Sequence, residues 1–584
     1  MDTIIWNNAS TASARARWEG LGTTGSNNVA TSKDGIMKCL NVPFATVPYR
    51  WAAPRPAPFS WAGTRDCTSF GPGCPQTAKP LFDVDGIPLF GRLGAGSIPI
   101  RAEHEDEFAC LNLNVFAPAR RDKAGLGSTA GKLPVLVWVH GGSYTVGSSS
   151  VDLYDCTRLV KRSCELGMPF VAVTFNYRVG VLGFLHSKEL VKDAVLQSEV
   201  PPQFRSTGNL GLVDSYHAFQ WVKQNIAHFG GDPENITAIG ESAGAGTINY
   251  LVLSPQLKVH VRRVIMCSST CSTIQLLRED QAQQSFDTLC RQLDIDPERP
   301  NADAVSKLRE TPVEQLLRHG SSISHAFRPT WDDITIGSDP RQVVFKPELW
   351  NESLTEMIIG VCQSESWARQ SALLDQEANL QHLVDGRIPP DRQDLREKAY
   401  ALYADGSKFP WFKMPPGTPA DHRGSVAFEG HMRYYSPADL FSDSIIRHQQ
   451  ARSTESDEPV GKALYRFILS WTTNHFHSSW PVTHTADILL TFLHKSLSDE
   501  EMNVAYSFTD ELIALVAGRK EVMRWKPYTA AERCLNELHE DGQWRVRFIG
   551  SGEFDLDDDF SALCEEVLKA SLSRGRASWK GMVR

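Results

Sequence analysis

Short apolar runs alternate with longer amphipathic stretches along most of the chain. Leu133 to Val139 is continuously apolar and ends at His140-Gly141-Gly142-Ser143-Tyr144. Met168 to Thr174 is a second run, followed by Asn176-Tyr177-Arg178-Val179-Gly180 and the apolar Val181 to Leu185. Asn235 to Ile239, Val261 to Met266, Glu356 to Val361 and Ala463 to Leu469 continue the series. Runs of this length, mostly apolar, read as strands buried on both faces. Asp106 to Phe116 instead alternates, as a half-buried strand does. Leu212 to Phe229 has Phe219, Trp221, Val222, Ile226 and Phe229 near one helical face, and Gly230-Gly231-Asp232-Pro233 stops that helix. Strand, helix and strand joined by short turns predict a mostly parallel sheet flanked by helices, the α/β class. Ala463 to Leu469 is read as the last strand, with helices from about residue 500 onward.

Other stretches break this rhythm. Residues 1–30 are polar and aperiodic and read as a lead-in. The segment from about 272 to 355 turns helical and charged. The segment 368–460 is helical and loop-rich, with Pro389, Pro390, Pro410, Pro415 and Pro416 as breakers. Both read as insertions into one domain spanning 31–584, and no internal repeat is present. Gly20-Leu21-Gly22-Thr23-Thr24-Gly25 in the lead-in spells a dinucleotide fingerprint. No buried strand precedes it and no apolar helix follows, so no cofactor is expected there.

The candidate chemistry sits at Gly240-Glu241-Ser242-Ala243-Gly244. A G-x-S-x-G between the apolar run 235–239 and the helix-like Ala245 to Leu253 places a serine on a sharp strand-to-helix turn, with its hydroxyl pushed into the open. The helix start offers backbone N–H groups to a developing negative charge. The strand 133–139 running into His140-Gly141-Gly142 is the pattern of a second set of such donors. A serine hydroxyl is a poor nucleophile without a base, and the base needs a carboxylate to fix its tautomer. On such an elbow the partners follow the serine in the order acid, then histidine. Glu365, just past the strand at 356–361, is the preferred acid. His475, His477, His484 and His494 compete as the base. His484 is favoured because it lies between a strand and an apolar stretch, with Asp487 placed to brace its loop.

Composition narrows the setting. Hydrophobic residues make up 41% and charged residues 22% of 584 residues, as in soluble globular proteins. A net charge of -9 without a basic patch argues against nucleic acid as the main partner. No apolar run approaches the roughly 20 residues that span a bilayer. No signal peptide or C-terminal targeting signal is read, so a cytoplasmic location is expected. The 12 cysteines contain no C-x-x-C pair, and no metal site is expected.

The chain resembles the type-B carboxylesterases, the group that holds cholinesterases and fungal lipases of the Candida type. The resemblance rests on Phe44 to Tyr49, Cys110 to Val115, His140 to Tyr144, Asn176 to Leu185, Gly208 to Asp214, Phe229 to Pro233 and Gly240 to Gly244. It continues through Gly360 to Glu365 and Val482 to Asp487. It implies an α/β-hydrolase fold, a Ser242–Glu365–His484 triad and an oxyanion hole from the N–H groups of Gly142, Ser143 and Ala243. Glu241 resembles a family glutamate that supports the polar network of the site. Cys74 and Cys110 resemble the family's first disulfide pair, although the missing leader leaves that bond open.

Departures from the family pattern are Ser143, where glycine or alanine is usual, Ser366, where glycine is usual, and Phe108-Ala109, where Glu-Asp is common. The last change removes an ion pair to Arg50 unless Glu107 takes that part. The wording around Asp106 resembles an intracellular fungal branch that often serves secondary metabolism. The expected activity is serine carboxylic ester hydrolysis of a small hydrophobic ester through an acyl-enzyme, with no cofactor and no membrane span. An acyltransferase, lactonase or non-hydrolytic cyclase on the same triad is the alternative, and a non-catalytic cholinesterase-like binding module a further one. Ser324 to Phe327 is a candidate wall of the acyl pocket. Substrate and oligomeric state are not read from the sequence.

Overall fold

The computed structural model describes residues 2–8, 26–33, 35–58, 64–77, 83–84, 87–88, 101–119, 131–196, 200–205, 208–297, 303–323, 327–332, 335–336, 339–350, 353–366, 380–409, 420–453, 463–473, 482–549 and 558–573. The apolar runs form a single twisted sheet. Its strands are β1 (Asp2–Asn8), β2 (Ser26–Lys33), β3 (Ile36–Pro43), β4 (Asn112–Pro118), β5 (Leu133–Val139) and β6 (Val171–Phe175). They continue with β7 (Gly231–Glu241), β8 (Arg263–Cys267), β9 (Glu356–Cys362), β10 (Ala463–Leu469), β11 (Cys534–Leu538) and β12 (Trp544–Phe548). The spatial order is β1-β2-β3-β4-β6-β5-β7-β8-β9-β10-β11-β12, with a short strand at Thr64–Asp66 beside β2. The seven strands from β6 through β11 run parallel, and the flanking pairs are antiparallel.

Successive side chains of the central strands enter two separate cores. Val135, Val137 and Val139 of β5 face one core and Leu136 and Trp138 the other. Val171, Val173 and Phe175 of β6 split from Ala172 in the same way. A sheet covered on both faces needs apolar residues at every position, which is why these runs are continuous. Helix α1 (Leu210–Asn225) contributes to one of these cores through Leu212, Val213, Phe219 and Val222. Helix α2 (Ala243–Leu253) leaves β7 directly and is buried along its length to Val252.

Three sequence expectations differ from the structure at the sheet margins. The stretch 1–30, read as an aperiodic lead-in, supplies β1 and part of β2, which pair antiparallel from Asp2 opposite Ser32 to Asn8 opposite Ser26. Each pairs with the outer side of the strand before it in the sheet, β2 on β3 and β1 on β2, because an edge strand offers unpaired backbone groups to any extended neighbour. Strand β4 is buried on both faces rather than half-buried. Its polar positions are satisfied inside: Asn114 donates to the Ser149 carbonyl and to Thr174 Oγ1, each at 3.1 Å. Strand β10 is not the last, because β11 and β12 follow it. In β11 the buried Asn536 and Glu537 hide the apolar signal. Asn536 donates to the Arg466 carbonyl at 2.9 Å, and Glu537 accepts from Ser470 at 2.8 Å and from Arg547 at 2.9 Å.

A buried ion pair ties the sheet to α1. Arg178 and Asp214 are 2% and 0% exposed at their side chains. Two guanidinium nitrogens of Arg178 reach Asp214 at 2.8 and 2.7 Å, the Arg178 N–H donates to the same carboxylate at 3.0 Å, and Nη1 donates to the Ala52 carbonyl at 2.8 Å. Removing one partner strands a buried charge. Asp214→Ala should therefore lower unfolding free energy by about 3–5 kcal/mol in urea titration. A loss below about 1 kcal/mol, the size of an exposed pair, would show that the charge is not sequestered.

Candidate active site

The parallel strands deliver their loops to one edge of the sheet, at the carboxyl ends where open α/β sheets gather their ligands. β7 ends at Glu241, and Ser242 occupies the turn before α2 with φ 53° and ψ −125°. A non-glycine residue holds positive φ only where its surroundings over-determine it. Here the Ser242 N–H donates to the Cys267 carbonyl at the end of β8, at 2.9 Å. The Ser242 carbonyl accepts from Gly246 N–H at 3.0 Å and begins the helix. Gly244 lets that helix lie against β5, since a Cβ there would run into the Val139 carbonyl.

The three residues singled out for acyl transfer meet around this turn. Ser242 Oγ lies 2.8 Å from His484 Nε2, and His484 Nδ1 lies 2.6 Å from Glu365 Oε2. The second carboxylate oxygen of Glu365 accepts from the Cys362 N–H at 2.7 Å. The acid turn is also tied to the strands beside it: Gln363 N–H donates to the Leu469 carbonyl at 2.9 Å, and Ser364 N–H to the Val482 carbonyl at 2.8 Å. The last bond joins the acid turn directly to the loop carrying His484. Of the competing histidines, His494 pairs with Ser496 Oγ at 2.6 Å, and His475 and His477 lie outside the described residues.

Across the nucleophile, the loop after β5 turns with φ 113° at Gly142, 54° at Ser143 and 64° at Tyr144. Ser143 adopts the left-handed conformation that glycine takes readily, so it carries strain that a glycine there would not. The loop is braced by its neighbours. Gln76 exchanges two hydrogen bonds with the Gly147 backbone, at 3.1 and 2.8 Å. Tyr177 donates to the His140 carbonyl at 2.8 Å while its ring stacks on the His140 imidazole at 4.3 Å. Burial lowers His140 to about 4, opposed only by a hydrogen bond to the Gly141 carbonyl, so this imidazole is neutral. Among the described residues, the N–H groups of Gly142, Ser143 and Ala243 have no hydrogen-bond partner. Such amides at a loop and a helix start are suited to an oxyanion.

Glu241 lies beside the pair, with Oε1 3.3 Å from His484 Nε2. Burial pushes Glu241 up to about 8, His484 opposing and Asp487 and Glu365 adding to it. Burial and Glu365 likewise raise Asp487 to about 6. Burial works against a charge on His484, but Tyr434, Glu241 and Glu365 outweigh it and hold its pKa well above the usual 6.5. Asp487, expected to brace the histidine loop, is buried at the start of the helix that follows it, and burial and its carboxyl together push the Cys267 thiol up.

The departures noted in the sequence also resolve. Glu107 does pair with Arg50, bidentately at 2.7 Å for both bonds. Cys74 and Cys110 are free thiols in hydrogen-bond contact. Several site residues escaped the sequence reading. Gln76 sits in a turn-rich stretch, and Tyr434 and Tyr435 lie in a region legible only as helical. No local motif marks any of them. The Ser324 to Ala326 stretch of the expected acyl-pocket wall lies outside the described residues.

Gly244→Ala tests the elbow geometry. The added methyl must displace either α2 or the end of β5, and a shift near 1 Å at the serine costs about 10²-fold in rate. The rate at which an organophosphonate labels Ser242 should fall by that order, and an unchanged rate would show that the close approach does not matter.

The Carboxylesterase family model matches residues 21–513. Neuroligin-2 of Homo sapiens is 32% identical over 401 residues, 63% of this chain and 45% of that protein. Para-nitrobenzyl esterase of Bacillus subtilis (strain 168) is 31% identical over 326 residues, 54% of this chain and 57% of that protein. The chain thus spans about half the length of the curated relatives it matches. The solved carboxylesterase EST55 of Geobacillus stearothermophilus superposes with a TM-score of 0.66 at 23% identity, covering 90% of this chain and 97% of that one, a likeness of α/β-hydrolase fold. With the matched model extending across most of its length, the chain belongs to the carboxylesterase family.

Proposed function

We propose that the protein is a serine carboxylic ester hydrolase that works through an acyl-enzyme on Ser242. The observation that carries this reading is the unbroken hydrogen-bond chain from Ser242 Oγ through His484 to Glu365. The similarity to a para-nitrobenzyl esterase supports the reaction class.

In the first half-reaction His484 Nε2 takes the Ser242 proton while Oγ bonds to the ester carbonyl carbon. The carbonyl electron pair moves onto oxygen. The amides of Gly142, Ser143 and Ala243 receive that oxyanion, each donor worth roughly 3–4 kcal/mol. Collapse expels the alkoxide, which takes the proton from His484 Nε2. Water then enters, gives its proton to His484 and attacks the acyl carbon, and the carboxylic acid leaves as Ser242 is reprotonated. Glu365 accepts the hydrogen bond from His484 Nδ1 and stabilises the imidazolium. Glu241, beside the nucleophile, supports the polar surroundings of the imidazole. Among the described residues, no helix is long and apolar enough to cross a membrane. The substrates proposed are small hydrophobic esters, and a p-nitrophenyl ester series of rising chain length would rank them.

Ser242→Ala should lower kcat by about 10⁶-fold with the fold intact by circular dichroism. Retained turnover would remove Ser242 from the mechanism.

The reaction needs neutral His484, and a raised pKa means the base form appears only at higher pH. The acid limb of kcat/KM should therefore lie above pH 6.5, the ordinary imidazole value. Glu365→Gln removes the anionic partner and should move that limb to lower pH while depressing the plateau. A limb unaffected by Glu365→Gln would assign the titration to another group.

A further inference from the structure

Residues His431 to Tyr435 form a π-helical turn between helix α3 (Ala420–Gly430) and helix α4 (Ser436–Ser453). Its defining bond runs from the Ser436 N–H to the His431 carbonyl, five residues back. A π-turn holds one residue more than an α-turn, interrupts the regular ladder and is frequent at functional sites. Here it sends two consecutive tyrosines to two members of the proposed triad. The Tyr434 ring lies 5.2 Å from the His484 imidazole at an interplanar angle of 50°. The Tyr435 hydroxyl is buried in the acid turn: its single proton is shared between the Cys362 and Gln363 carbonyls, 2.6 and 2.7 Å away, and its oxygen accepts from the Glu365 N–H at 3.4 Å.

The carbonyls at 362 and 363 point to the same phenol, so one hydroxyl fixes the dihedrals on both sides of Gln363. Those dihedrals set where the Glu365 carboxylate meets His484 Nδ1. The π-turn is in turn anchored from behind. His431 Nδ1 is 2.8 Å from the Tyr403 hydroxyl, and its ring stacks on Phe560 of helix α5 (Asp558–Ser573) at 4.5 Å. Arg433 pairs with Glu429, which also holds Arg387 at 2.9 Å, and donates to the Thr273 carbonyl at 3.3 Å.

We propose that this π-turn is the clamp that positions the acid–base pair, with Tyr435 as the positioning residue of Glu365. The proposal rests on the esterase reading above and adds to it a residue that touches neither substrate nor reacting atoms. The ionisable groups facing the acid and base are Glu241, Asp487, Cys267, Cys362, Tyr434 and Tyr435. Of these, Tyr435 grips the acid turn by its backbone, at residues 362, 363 and 365.

The test is Tyr435→Phe, measured per active site titrated with an organophosphonate. The clamp predicts a fall in kcat of about 10²-fold with KM held within about twofold. It also predicts a shift of the acid limb of kcat/KM to lower pH, because a displaced Glu365 supports the imidazolium less well. In a Glu365→Gln background the same substitution should cost under about threefold, since both changes act on one interaction. An unmoved limb, or equal losses in both backgrounds, overturns the clamp and leaves Tyr435 a packing residue. If Tyr435→Phe does not fold, 3-fluorotyrosine at 435 keeps the ring and hydroxyl but acidifies the phenol. A limb coincident with that of the unsubstituted protein then overturns the clamp. Absence of phosphonate labelling on Ser242 in the unsubstituted protein overturns the esterase reading itself, and the clamp with it.

Discussion

Ser242 cannot adopt its positive φ alone. The conformation exists because β7 and α2 are both locked before the chain reaches it. β7 is paired on both sides, to β5 through Gly240 and to β8 through Glu241. The helix starts at the next residue, and its Gly244 seats it against the end of β5. The strain at one residue is small beside the two cores that the central strands separate, so the sheet can hold it. Everything else at the site is arranged around the point where that hydroxyl emerges.

The second requirement is polar order in an interior that penalises charge. Glu365, His484, Glu241 and Asp487 are all buried within one cluster. Three ionised carboxylates around one imidazole would repel one another, and burial resolves this by pushing Glu241 and Asp487 upward. Glu365 differs because it receives a backbone N–H and the imidazole on separate oxygens. One carboxylate is thus kept as an acceptor and two are held towards neutrality, which is the separation of roles that acid–base chemistry needs.

What was legible in the sequence follows from this physics. The central strands were readable because two cores demand apolar residues at every position. The elbow was readable because glycine spacing, a strand before and a helix after coincide within a few residues. Glu365 and His484 were reachable because both follow strands in the order that the sheet imposes. The margins were not readable. β11 conceals itself behind Asn536 and Glu537, whose partners come from β10, the adjoining Ser470 and β12 and so are visible only in three dimensions. β1 pairs because an edge is available, which no local pattern announces. Tyr434 and Tyr435 act through a turn whose irregularity has no sequence signature, so residues beside the acid and base were lost inside a helical stretch.

The most direct test of the account is to trap the intermediate. Reaction with a p-nitrophenyl ester, quenched in acid during the first turnover, followed by peptide mass mapping, locates the acyl group. The account predicts a burst of about one equivalent of p-nitrophenol per protein and a single acyl group on the peptide carrying Ser242. Turnover without a burst, with the acyl group absent from Ser242 or carried by another residue, would contradict it.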